Sequence, residues 1–253
     1  MLTKLSGESE VWIWAGFLVF LRVGAAMALL PAFGEQSVPQ RVRLSLALCF
    51  ALIVLPAVSD QVTPLAGNLV LPITTEVTAG LLLGIGLRMF IFALQIAGTM
   101  AAQSTSLAQL FAGQGAEPQP AMSNLFVMAA LALAVMDGFH IRVVELFILS
   151  YDVLPPGQLL PGDAVATWGV AQTTRAFTLA FSLAAPFIAA SVIYNLALGV
   201  INRAMPQLMV VFVGAPALTL GGLVLLALAT PLLLDVWMQA LSSFIASPFR
   251  ISP

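Results

Sequence analysis

VTAGLLLGIGLRMFIFALQIAGTMAAQSTSLAQLFAGQGA occupies residues 77–116, forty positions in which Arg88 is the sole charge. A helix needs about 20 predominantly apolar residues to cross the hydrocarbon layer of a bilayer, so this stretch holds a span with length to spare. Outward from it, similar intervals recur on both sides. Between Glu10 and Glu35 the only charge is Arg22, and Leu44–Ser59 has none but is short for a full crossing. Downstream, Pro118–Met136 is charge-free and its apolar pattern continues through Asp137 to Ser150, while Ala176–Asn202 and Ala204–Leu234 are again uncharged. The pattern predicts six apolar helical segments, 11–33, 44–58, 77–107, 123–150, 176–200 and 208–234, and therefore an all-α fold.

Composition agrees with that class. Of 253 residues, 60% are hydrophobic and 8% charged, and the mean hydropathy is +1.05. Soluble domains carry about a quarter charged residues, so this chain is read as an integral membrane protein or part of a very apolar assembly. A net charge of −2 with a single lysine, Lys4, gives no basic footprint for nucleic acid. Cys49 is the lone cysteine, which excludes an intrachain disulfide, and it is read as a buried small hydrophobe in LALCFALIVL. The first segment is too long for a cleavable signal peptide, and no small-residue cleavage site follows it. Six alternating crossings would put Arg41, Arg43 and Arg203 on one side and Lys4, Arg175 and Arg250 on the other, a balance that leaves orientation undecided.

Several segments are unlike helices that face lipid alone. Pro186 and Pro216 fall inside the last two, where each removes a backbone hydrogen bond. Gly80 and Gly84 have the GxxxG spacing that lets another backbone approach closely, either in this chain or in another subunit. Arg22, Arg88, Asp137 and Arg203 lie within or beside apolar runs, where an ionisable group turns toward protein or water. Snorkelling suits Arg203. Arg22 and Arg88 lie deeper and call for a buried partner or a water-filled lumen.

Catalytic signatures are missing. His140, the only histidine, has Asp137 three residues before it, too few ligands for a metal site, and HExxH is absent. No GxSxG elbow or GxxxxGK[ST] phosphate loop occurs. No enzyme, cofactor or metal is expected, and His140 is assigned to a hydrogen bond or to a polar helix break at Gly138.

Four motifs carry a family resemblance. FLRVGAAMALLPAFGEQSVPQRVRLSLALCFALIVLP (20–56), DGFH (137–140), SYDVLPPG (150–157) and GVINRAMPQLMVVFVGAP (199–216) resemble the FliR-type export-gate family of type III secretion, across essentially the whole chain. The resemblance implies one export-gate domain over 1–253, with four helical segments in 1–175, a loop at 108–122, and a C-terminal hairpin and tail in 176–253. It implies a fold of kinked hydrophobic hairpins packed into a hetero-oligomeric spiral. It further implies a core subunit that joins FliP and FliQ in the channel for unfolded flagellar proteins, with FlhB and FlhA attached, in the bacterial inner membrane at the flagellar basal body. The equivalent subunit of a virulence injectisome is the near alternative.

Site expectations follow from the resemblance. Family members project the loop after the third long segment into the channel, which makes Phe111, Ala112, Gly113, Gln114, Gly115, Glu117, Pro118 and Met122 a candidate plug, against a passive loop. Asn202, Arg203, Pro206 and Gln207 are a candidate partner-contacting turn, against a solvated turn between helices. Arg22 and Arg88 are candidates for subunit contacts or a place near the lumen. A small-solute transporter would show two related halves with broken helices at matching positions, and the first half has no counterpart of Pro186 and Pro216. A lone membrane scaffold is the third class.

Overall fold

A computed structural model describes residues 2–35, 38–62, 69–105, 121–204 and 210–249. Among them seven α-helices succeed one another, with no strand: α1 Leu2–Met27, α2 Gln40–Val58, α3 Val70–Thr105, α4 Ala121–Met136, α5 Phe139–Val153, α6 Gly162–Ala204 and α7 Val210–Ala246. The all-α expectation holds, and its segment boundaries shift for identifiable reasons.

The first helix stops at Met27 because PAFG forms a tight turn. Ala32 there has a φ of 66°, and Gly34 donates to the Leu30 carbonyl at 2.6 Å. A Cβ on Gly34 would meet the carbonyl oxygens of Ala28 and Leu30 at 2.8 Å, so only glycine fits that turn. The predicted 123–150 segment is two helices. Gly138 adopts a φ of 78°, a left-handed conformation that side-chain-bearing residues resist, and α4 and α5 bend there by 75°. Helix α6 begins at Gly162 and α7 runs to Ala246, beyond the predicted 176 and 234, because charges bound an apolar run without ending a helix. Arg175 is accommodated inside α6 by a hydrogen bond to the Ala240 carbonyl at 3.2 Å. Asp235 is accommodated in α7, accepting from Gln239 one turn on at 2.9 Å. Cys49 lies exposed on α2, contrary to the buried position expected of it, on a helix whose core face is built by Ala47, Phe50, Ala51 and Val54.

Helices α2, α3, α6 and the Leu220–Ala246 part of α7 are long and apolar enough to cross a membrane, and the bent α4–α5 pair makes a fifth candidate. Val11–Met27 of α1 is apolar but shorter.

The described parts of 1–89, 134–173 and 241–253 form one compact unit. In it α1 packs on α2, and α2 on α5. Gly80 and Gly84 of α3 face α1 so closely that a Cβ on Gly84 would meet the Ala26 carbonyl oxygen at 2.8 Å. The GxxxG pair therefore serves packing inside this chain. Val19, Val23, Ala26, Leu83, Leu87 and Phe147 are fully buried there. The indole of Trp168 donates to the Pro248 carbonyl at 2.9 Å, and Gly86 leaves room for the ring of Phe244.

The described parts of 90–133 and 174–240 form a second unit. Gly98 of α3 abuts the Ser123 backbone of α4, and the Phe126 and Phe187 rings meet with centroids 6.2 Å apart. Ser191 of α6 donates to the Ser104 carbonyl at 2.7 Å, and Trp237 of α7 to the Phe90 carbonyl at 2.9 Å.

Candidate functional site

The densest polar cluster lies in the first unit and is built around Arg22. Helix α1 carries it on the face that packs against α3, and its side chain is 1% exposed. Nε and Nη2 donate to the two carboxylate oxygens of Glu76 at 2.8 and 2.9 Å. Nη1 donates to Ser150 Oγ at 2.9 Å, and Nη2 also to the Leu154 carbonyl at 2.7 Å. The guanidinium lies over the Tyr151 ring, 3.6 Å from its centroid, and the Tyr151 hydroxyl donates to Glu76 at 3.1 Å.

Each contributor is placed by a local feature of the sequence. Glu76, Gly80 and Gly84 recur at intervals of four on α3, so the carboxylate shares the face that the glycines press against α1. SYDVLPPG supplies the rest. Ser150 and Tyr151 end the buried face of α5, and Leu154 turns its carbonyl back onto Arg22. Gly157, at a φ of 74°, donates its N–H to Thr75 Oγ1 at 3.1 Å. The motif thus wraps the α3 face at two successive residues, Thr75 and Glu76.

Such an arrangement binds three elements and leaves no reactive group available. A bidentate Arg–carboxylate pair is among the stronger charge-assisted contacts. The two charges cancel at a depth where either alone is costly. The depth of Arg22 in its apolar run is explained by a buried partner in its own chain.

Arg88 is paired as well. It forms an ion pair with Glu35, both side chains about a quarter exposed. The Glu35 carbonyl accepts from Arg43 Nη2 at 2.9 Å, so the PAFGE turn is held to both α3 and α2. Asp137 pairs with Arg142 at 2.8 Å beside the helix break, both at the surface. His140 is exposed on α5. Among the described residues no group of three His, Cys, Asp or Glu side chains is placed to hold a metal.

Of the predicted plug, Met122 is half-buried in the first turn of α4, and Phe111, Ala112, Gly113, Gln114, Gly115, Glu117 and Pro118 lie outside the described residues. Asn202 and Arg203 are exposed in the last turn of α6, where a cation suits the helix dipole. Pro206 and Gln207 lie outside the described residues. Sequence reasoning missed Glu76, Ser150, Tyr151 and Glu35. The recurrence of 76, 80 and 84 on one helical face was the available signal for the first of them.

Comparison with known proteins covers nearly the whole chain. Residues 13–244 match the family described as bacterial export proteins, family 1. The chain is 34% identical over 233 residues to the flagellar biosynthetic protein FliR of Caulobacter vibrioides, covering 89% of this chain and 92% of that one. With the FliR of Escherichia coli it shares 28% identity over 240 residues, covering 92% and 90%. The FliR of Bacillus subtilis is 29% identical over 209 residues, covering 80% of each. The motifs that frame the Arg22 cluster and the PAFGE turn all fall inside the matched region, and the chain belongs to family 1 of the bacterial export proteins.

Proposed function

We propose that this protein is a core, non-enzymatic subunit of the flagellar type III export gate. It assembles with FliP and FliQ, with FlhB and FlhA attached, around the channel that carries unfolded flagellar proteins across the inner membrane at the basal body. The observation that carries this reading is the nearly full-length match to relatives named flagellar biosynthetic protein FliR. The surfaces of the helices support it. The apolar windows of α2, α6 and α7 are only 28%, 33% and 28% buried, which leaves long faces for neighbouring subunits and lipid.

In this reading 1–253 works as one export-gate domain, with the 108–122 loop as a channel plug and 176–253 as a hairpin and tail. Phe111 and Met122 offer apolar contact, Gly113 and Gly115 backbone freedom, and Pro118 local stiffness. Asn202, Arg203, Pro206 and Gln207 offer a polar turn to a partner subunit. Arg88 with Glu35 tethers the turn after α1 and sits close enough to the surface to face a neighbour, whereas Arg22 acts from within.

Purification in mild detergent tests the assembly. FliP- and FliQ-like proteins are expected to come with the tagged chain, and cells lacking the gene should be non-motile until it is restored. Recovery of the chain alone from cells that make all three proteins would overturn the proposal.

A further inference from the structure

A groove of about 400 Å³ opens on the first unit, within the size range of small-ligand sites. Phe20, Gly24 and Ala25 of α1, Leu44 and Ala47 of α2, and Val77 of α3 line it with apolar surface. Its polar lining consists of Gln40 and Arg43, both in the first turn of α2. The groove is therefore amphipathic along its length, apolar in its body and basic at the start of α2.

Three observations bear on what the basic end can hold. Arg43 lines the groove and spends Nη2 on the Glu35 carbonyl. Arg41, one residue from Gln40, is exposed, and among the described residues neither Arg41 nor Arg43 forms an ion pair, since Glu35 is held by Arg88. Pro39, at the N-cap, makes no side-chain cap bond, so the first-turn N–H groups of α2 add their partial positive charge in the same place.

Below that end the apolar surface continues. Leu44, Leu48 and Leu52 are each more than half exposed and follow one another at intervals of four down the outside of α2. A helix that can span a membrane thus carries two arginines at one end and an apolar track leading away from them.

We propose that this groove binds one anionic phospholipid, its phosphate held by Arg41, Arg43 and the start of α2, and an acyl chain lying between α1 and α2. Charge selects this occupant. A wholly apolar partner helix would leave two cations uncompensated, and a zwitterionic lipid brings its own cation to the arginines.

Native mass spectrometry of the full chain in detergent tests the site, with phosphatidylglycerol and phosphatidylcholine of identical acyl chains as probes. Phosphatidylglycerol should be retained about tenfold more tightly, the scale of one choline-to-arginine repulsion that it avoids. Arg41→Gln should reduce that preference, and Arg41→Gln with Arg43→Gln should abolish it. Gly24→Leu should weaken both lipids, because a Cβ there meets only the tip of Phe20, at 4.0 Å, and the rest of the side chain enters the groove. Arg41 is exposed and Gly24 has room, so these two variants fold even if loss of Arg43 disturbs the turn at Glu35. Equal retention of the two lipids, or a preference that Arg41→Gln leaves intact, overturns the proposal. Sensitivity to the arginines without sensitivity to Gly24→Leu also overturns it, by reducing the effect to surface attraction. Loss of the bound lipid in a FliP–FliQ complex would reassign the groove to a subunit contact.

Discussion

Arg22 and Glu76 show what a buried pair demands of a chain this apolar. Removing one partner strands the other in the core, which in proteins generally costs about 3–5 kcal/mol. Arg22→Met and Glu76→Gln are each expected to lower stability by about that much, read from thermal unfolding in detergent. The double change Arg22→Met with Glu76→Leu should lose much less, since no charge is left alone. A double variant as unstable as the singles would show that the pair's shape, and not its charge balance, is what the site requires. The depth of Arg22 was readable from its charge-free interval. Its partner was not, because Glu76 lies 54 residues away and in one dimension serves only as the edge of the next apolar run. Ser150 and Tyr151 lay in a recognised motif, but a motif does not state which side chain points at which.

At the level of elements, the glycines of α3 decide how closely two helices meet. Gly80 faces the Arg22 carbonyl and the Ala25 Cβ, so Gly80→Leu must push α1 away and disturb the Arg22 contacts as well. A loss of about 1–3 kcal/mol is expected from overpacking alone. Gly169 of α6 provides the contrast, with nothing within 4 Å of the position a Cβ would take. Gly169→Ala should stabilise by about 0.5–1 kcal/mol through helix propensity. If both substitutions shift the unfolding midpoint alike, close helix approach is not what Gly80 provides. The GxxxG spacing was readable in the sequence, while the identity of its partner needed three dimensions. Helix ends were the least readable feature. Hydropathy records where apolar runs stop, whereas α6 and α7 continue through charges that find partners across their unit or one turn away.

For the whole molecule, the exposed apolar faces and the polar stretch between α3 and α4 carry the proposed role. Deleting 112–119 should leave assembly intact and make the closed gate leaky to ions, measured as solute entry in cells expressing the variant. Unchanged permeability would reduce the loop to a connection. Arg203→Ala should weaken co-purification with FliP and FliQ and reduce motility, and wild-type behaviour in both assays would make 202–207 a plain turn. That the chain belongs in a membrane was evident from composition. The role proposed for it there was readable only through the family motifs, because passing other proteins along needs no nucleophile or metal cluster to betray it.

The unit that holds Arg22 also recruits residues 241–249, where Phe244 fills the space left by Gly86 and Pro248 accepts from Trp168. Translation delivers these pieces far apart in time. At about 5–20 residues per second, α1–α3 wait roughly 10–30 s before Phe244 exists. During that interval the face of α3 around Gly86 lacks the ring that covers it. A reporter fused within 241–249 would therefore disturb the earliest-made helices first, and proteolysis near α3 would be the first sign of it.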